Sequence, residues 1–169
     1  DINETQLSSL YWLNLGSGLL LTSLIFLTAP LIANFFSDPE LHPPLQLLSL
    51  VFLIFAIGNQ FKILFQKDLR FKLMALVDIF AAIMSLIIAV WSALLGFGLY
   101  ALVYAVLTQS IISSIGYLIL GTHIYYKPSI TYSHSELKGF YSFGFYQMGE
   151  KSINYLGANI DKILISRIL

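Results

Sequence analysis

The sequence predicts an all-α fold, a multi-spanning bundle of membrane helices, and three observations carry that prediction. Of the 169 residues, 57% are hydrophobic and 11% charged, against roughly 25% charged in soluble domains. No Asp, Glu, Lys or Arg occurs from 79 to 126, a run longer than two membrane crossings of ~20 residues each. Gly96 and Gly98 interrupt that run and supply the backbone freedom that a tight reversal needs. The formal net charge is zero and there is no cysteine. Nothing therefore points to a nucleic-acid partner, a disulfide, a thiolate nucleophile or a sulfur-bound metal.

About five spans follow from the apolar runs. The first covers 10–36, where no formal charge occurs; Tyr11 and Trp12 sit at one end as interfacial anchors do. Pro30 predicts a kink towards the other end. The connection 37–44 is acidic and rich in proline, and reads as a loop. The second span covers 45–65 and carries Asn59, Gln60 and Lys62 near its end; a basic connector follows at 66–72. The third span, 73–95, contains Asp78, and the fourth covers 99–120. A polar stretch, 122–136, leads to the fifth span, 137–169. The first residue is not Met and the last lies in apolar sequence, so the chain reads as a segment of a longer multi-spanning protein.

Cations in short loops set orientation. Lys62, Lys67, Arg70, Lys72, Lys127 and Lys138 all fall on one side, which is then cytoplasmic, and Arg167 is the exception. The fifth span differs from the rest. Gln147, Lys151, Asn154, Ala158 and Asp161 recur at intervals of four and three, a single helical stripe that Glu150, Asn159 and Lys162 widen. Ionisable groups inside a span cost about 2.5–3.5 kcal/mol each on insertion scales. Such a stripe suits either a helix lining a wet cavity or a segment that begins in the headgroup region. Asp78 suits pairing with a cation of another helix, ion coupling, or a place near the interface. Lys62 suits snorkelling to the headgroups more than substrate binding, and the 67–72 cations suit a topology signal and anionic-lipid contact, with the gathering of an anionic lipid-linked substrate as the other reading. The aromatic residues are expected to face mostly lipid or the interface.

Several motifs are missing or uninformative. No P-loop occurs, and His42, His123 and His134 lack metal-ligand spacing. Gly16-Ser17-Gly18 has no βαβ unit around it and fits close helix packing better than a dinucleotide site. The sequence implies no cofactor and no catalytic site.

Three segments together resemble the polysaccharide transporter family, the O-antigen and lipid-linked oligosaccharide flippases of the MATE-like superfamily. They are Gln66-Lys67-Asp68-Leu69-Arg70-Phe71-Lys72; Gly96-Phe97-Gly98-Leu99-Tyr100-Ala101-Leu102-Val103; and Phe143-Gly144 with Asn159-Ile160-Asp161-Lys162-Ile163-Leu164-Ile165-Ser166-Arg167. Lys67 stands where the family frequently has arginine. The resemblance implies a partial MATE-like two-lobe transporter covering the third to seventh helices. Residues 1–121 would complete the first lobe, 122–136 would be the cytoplasmic linker, and 137–169 the first helix of the second lobe. It also implies a multi-pass protein of a bacterial or archaeal cytoplasmic membrane that flips a polyprenyl-pyrophosphate-linked oligosaccharide for cell-surface polysaccharide. Polysaccharide polymerase and glycosyltransferases would work beside it. Candidate cavity residues are Lys151, Asn154, Asn159, Asp161 and Lys162, with Asp78 for ion coupling. A cation-coupled small-molecule exporter of the same superfamily is the alternative. A membrane glycosyltransferase or ligase, which would need a catalytic pair that the short outer connections lack, and a membrane scaffold are further rivals.

Overall fold

The computed structural model describes residues 4–130 and, beyond them, 144, 146, 149–155, 157 and 159. Among the described residues there is no strand. In residues 4–130 four long helices, α1 (Glu4–Phe35), α2 (His42–Lys67), α3 (Phe71–Leu94) and α4 (Leu99–Ile124), run back and forth, with a 3-10 turn at Pro39–Leu41. All four are long and apolar enough to cross a membrane. Residues 149–155 are helical too.

Chemistry at the ends explains the boundaries. α1 continues through Pro30, which has no N–H to give its own helix. It ends where Ser37 takes a left-handed φ of 57° and the Asp38 N–H closes back on the Ala33 carbonyl at 3.1 Å. Asp38 then accepts from the Glu40 N–H at 3.0 Å, and prolines early in α2 need no hydrogen-bond partner there. Leu69 repeats the left-handed device after α2, with φ 54° and the Arg70 N–H bonded to the Phe65 carbonyl at 2.9 Å. The reversal after α3 uses the two expected glycines, Gly96 at φ 82° and Gly98 at φ 53°. α1 begins six residues before the expected first span and α4 runs four past the expected fourth. Polar residues at these ends, among them Thr5, Gln6, Thr122 and His123, are helical because the interface tolerates them within a helix.

The helices pack in a row of order α1–α2–α4–α3, since α1 packs on α2, α2 on α4 and α4 on α3, whereas α2 and α3 touch little. Lipid offers the outer faces no hydrophobic penalty, so large side chains such as Leu27, Leu31, Leu86 and Leu94 stay exposed. Small residues occupy the seams instead. On α1 the buried positions Tyr11, Gly18, Thr22, Ala29 and Ala33 form one stripe at steps of seven and four. Thr22 donates to the Ser49 carbonyl at 2.9 Å and accepts from the Leu53 N–H at 3.2 Å, while Asn14 donates to the Ala56 carbonyl at 2.9 Å. Gly18 fits the expectation of close packing, because a Cβ there would lie 2.6 Å from Ala56 Cβ; one on Gly16 would meet nothing within 4 Å.

The α2–α4 seam is close as well. A Cβ on Gly58 would lie 2.6 Å from Ser114 Cα, and one on Gly121 would collide with the Phe61 ring. Ser85 donates to the Ala105 carbonyl at 2.8 Å across the α3–α4 seam. Replacing Gly58 by Val is expected to destabilise the purified protein by about 1–3 kcal/mol through overpacking. Gly16→Ala should stay within ~0.5 kcal/mol of the parent. Thermal unfolding in detergent measures both, and equal stability of the two variants would sink the described α2–α4 contact.

Candidate functional site at the basic end of the bundle

The ends of the row differ in charge. Lys67, Arg70, Lys72 and Lys127 gather where α2 ends, α3 begins and α4 ends, whereas Asp38 and Glu40 lie at the opposite end. Just below the basic end is a cluster of buried side chains, Tyr11, Phe61, Leu64, Phe65, Met74, Tyr117 and Tyr126. Phe61 and Phe65 are fully buried; Phe61 meets the Tyr126 ring at 5.4 Å, and Phe65 meets the Tyr125 ring edge-on at 5.2 Å. These aromatics are the exceptions to the expectation that such residues face mostly lipid or the interface, which holds for most described ones, among them Phe26, Phe52, Phe80 and Trp91, all exposed. Offset aromatic rings fill the gap where glycine lets two backbones converge, and their edges hold one another.

A charged pair abuts this cluster. Lys62 Nζ of α2 lies 3.4 Å from Asp78 Oδ2 of α3, with 28% and 45% of the two side chains exposed. Lys62 also sits over the Tyr117 ring at 5.2 Å, and the Tyr117 hydroxyl donates to the Met74 carbonyl of α3 at 3.5 Å. Asp78 thus faces a cation on another helix, one of the arrangements open to it, and Lys62 reaches that carboxylate. The separation exceeds the ~2.7–2.9 Å of a tight charge-assisted hydrogen bond, so the pair is a loose one. A depth count would have found it. Lys62 lies five residues before the end of α2 and Asp78 seven after the start of α3. Either is then about 8–10 Å in from the same reversal at ~1.5 Å per residue.

Around this pair the connector is tied down. Arg70 lies over the Tyr125 ring at 5.8 Å, and the Tyr125 hydroxyl donates to the Leu64 carbonyl at 3.2 Å. The chain leaving α4 then reaches α1. The Tyr126 hydroxyl donates to the Leu7 carbonyl at 3.1 Å, and Trp12 Nε1 donates to the Ser129 carbonyl at 2.8 Å. Burial, and then the neighbouring Tyr11, push the Tyr126 phenol up to about 12, so it stays a donor at neutral pH.

The expected cavity residues are only partly within the described chain. Lys151 and Asn154 are exposed on a helical segment. Asn159 donates to the Tyr155 carbonyl at 3.0 Å, a bond within its own turn of chain. Gln147, Ala158, Asp161 and Lys162 lie outside the described residues, as does His134. Among the described residues no three His, Cys, Asp or Glu side chains are grouped to hold a metal ion. His42 begins α2 at the acidic end and His123 lies near the end of α4 at the basic one. Open cavities flank the row, among them one of about 520 Å³ at the acidic end beside Pro39, Pro44 and Phe97, and an apolar one of about 580 Å³ along Trp12, Gly16 and Leu53.

Apolar helices of spanning length, small-residue seams and a paired charge within the apolar zone define a multi-pass membrane helical bundle. The chain belongs to the family of polysaccharide biosynthesis proteins, whose model matches residues 1–169. It is 37% identical over 173 aligned residues to the teichuronic acid biosynthesis protein TuaB of Bacillus subtilis, covering 100% of the chain and 35% of that relative. It is 29% identical over 169 residues to the lipopolysaccharide biosynthesis protein WzxC of Escherichia coli, covering 100% of the chain and 34% of WzxC. The succinoglycan biosynthesis transport protein ExoT of Rhizobium meliloti is 25% identical over 161 residues, 95% of the chain and 32% of ExoT. The chain thus spans about a third of the length of these relatives. No solved structure matches it.

The pair predicts a non-additive mutant cycle. Lys62→Met or Asp78→Leu alone leaves a charge without its partner, and each should destabilise the fold by about 1–3 kcal/mol, below the ~3–5 kcal/mol of a fully buried pair. The double variant should recover most of that loss. Unfolding of all four proteins in detergent gives the coupling, and additive losses would argue against an energetic link.

Proposed function

We propose that this chain is part of a transporter that flips a polyprenyl-pyrophosphate-linked oligosaccharide across the cytoplasmic membrane of a bacterium or archaeon for cell-surface polysaccharide synthesis. The observation that carries the reading is the family match along the whole of a chain made of membrane-spanning helices. The word transport in the name of ExoT supports movement of material rather than bond-making chemistry. A pyrophosphate and its sugars cannot enter hydrocarbon without partners for their polar groups. A cavity between two lobes, opened to either side by rocking, would meet that need.

In this reading residues 1–121 complete the first lobe, 122–136 link the lobes and 137–169 begin the second. Lys151 and Lys162 contact the pyrophosphate, while Asn154, Asn159 and Asp161 hold sugar hydroxyls or those lysines. Polysaccharide polymerase and glycosyltransferases act on either side of the step. The cation-coupled exporter has one observation in its favour, the carboxylate of Asp78 within the third helix. That carboxylate is held by Lys62 at 3.4 Å, so a coupling ion would have to displace an ammonium group.

The test uses the full-length protein in its own cell. Lys151→Gln with Lys162→Gln should lower surface polysaccharide about tenfold or more, equivalent to ~1.4 kcal/mol or more of lost stabilisation, with protein level in the membrane unchanged. Unaltered polysaccharide output would remove these lysines from the substrate path. Asp78→Asn should reduce output only as far as it reduces the amount of folded protein; complete loss at normal protein level would favour the exporter-type coupling role.

A further inference from the structure

The segment leaving α4 is held to α1 by contacts that the transporter reading does not use. Tyr126 and Ser129 lie 119 and 121 residues from Leu7 and Ser8, their partners in α1. Besides the Tyr126 and Trp12 bonds, the Ser129 N–H donates to Ser8 Oγ at 3.2 Å and the Ser129 and Ser8 hydroxyls lie 3.1 Å apart. The Tyr126 side chain is buried and packs on Phe61 of α2. Pro128 fixes φ between the two attachment points, which shortens the list of conformations the segment can adopt. Packing between helices joins α1 to α2 and α2 to α4. This segment adds a direct tie from α4 to α1 across the end of α2.

We propose that residues 125–129 are a permanent clasp: the chain from α1 to Ser129 moves as one body while the protein works, and the clasp does not open during transport. This rests on the transporter reading and deepens it, because any pull on the chain beyond Ser129 is then delivered to α1 as directly as to α4. A segment that were merely the flexible start of a linker would not need four bonds to a helix so distant in sequence.

The chain's lack of cysteine makes the contact testable. In a full-length protein whose other cysteines are replaced, Ser8→Cys and Ser129→Cys place two thiols where hydroxyls are 3.1 Å apart, near the geometry a disulfide requires. Mild oxidation of intact cells with copper phenanthroline should cross-link the pair in high yield. Surface polysaccharide output should then stay within twofold of the reduced form. Failure of the pair to cross-link, a measurement that needs no transport, would overturn the clasp. A tenfold drop on oxidation, restored by reductant, would show that the contact must open and would also overturn it. Loss of output already in the reduced form would count equally against it, since a static contact shared with Tyr126 and Trp12 tolerates two thiols. The transporter reading fails separately: if deleting the gene leaves polysaccharide output intact, that reading is lost while the cross-linking yield still reports on the clasp.

Discussion

Phe61 occupies the space that Gly121 leaves empty, and most of the architecture is reached through that contact. Its ring needs a partner with no side chain; a methyl at Gly121 would collide with it. Nearer the start of α2, Gly58 lies against the Ser114 backbone. Together these bring α2 and α4 close enough to become the middle of the row, with α1 and α3 each packed on one of them. In lipid there is no water to expel between helices, so intimate contact of this kind supplies much of the attraction that burial supplies in a soluble core. The same ring also touches Tyr11 of α1 and Tyr126 of the clasp.

Polar groups follow the same economy. Hydroxyls of Ser9, Ser23, Thr28 and Ser110 bond carbonyls four residues back in their own helices, at 2.7–2.9 Å, which satisfies them without a second helix. Thr22, Asn14 and Ser85 instead reach a neighbouring helix and pin its register. Lys62 and Asp78 are the costly case, and they sit at equal depth near the basic end, where each lowers the cost of the other.

The helices were legible because apolar runs of spanning length have few other destinations, and the Gly96–Gly98 reversal was legible because left-handed backbone favours glycine. The role of Gly18 in close packing was visible, but Gly16 carries the same sequence signal and meets nothing; only the helix crossing tells them apart. Burial of Phe61, Phe65 and Tyr117 was not legible, since an aromatic residue in a span has no mark that separates lipid from a neighbouring helix. The Lys62–Asp78 pair was half legible, as each charge stood out and only the antiparallel depth match joined them. Nothing local marks Ser8 or Ser129, whose meeting depends on where the chain after α4 lies. Of the polar stripe, Lys151, Asn154 and Asn159 are on the described chain, so the stripe stands as a sequence pattern whose use in substrate contact is proposed.

The row order also bears on how the protein is made. α3 is synthesised before α4, yet α4 is the helix on which it packs. For the time needed to make α4, α3 must therefore live in the bilayer without its main neighbour. It is the most apolar of the four spans, which makes that wait tolerable, and Asp78, its one charge beyond the first turn, has Lys62 on the helix just ahead of it in the chain. The ion pair thus joins two helices that are neighbours in the chain but not in the row, a direct link between α2 and α3 at the basic end.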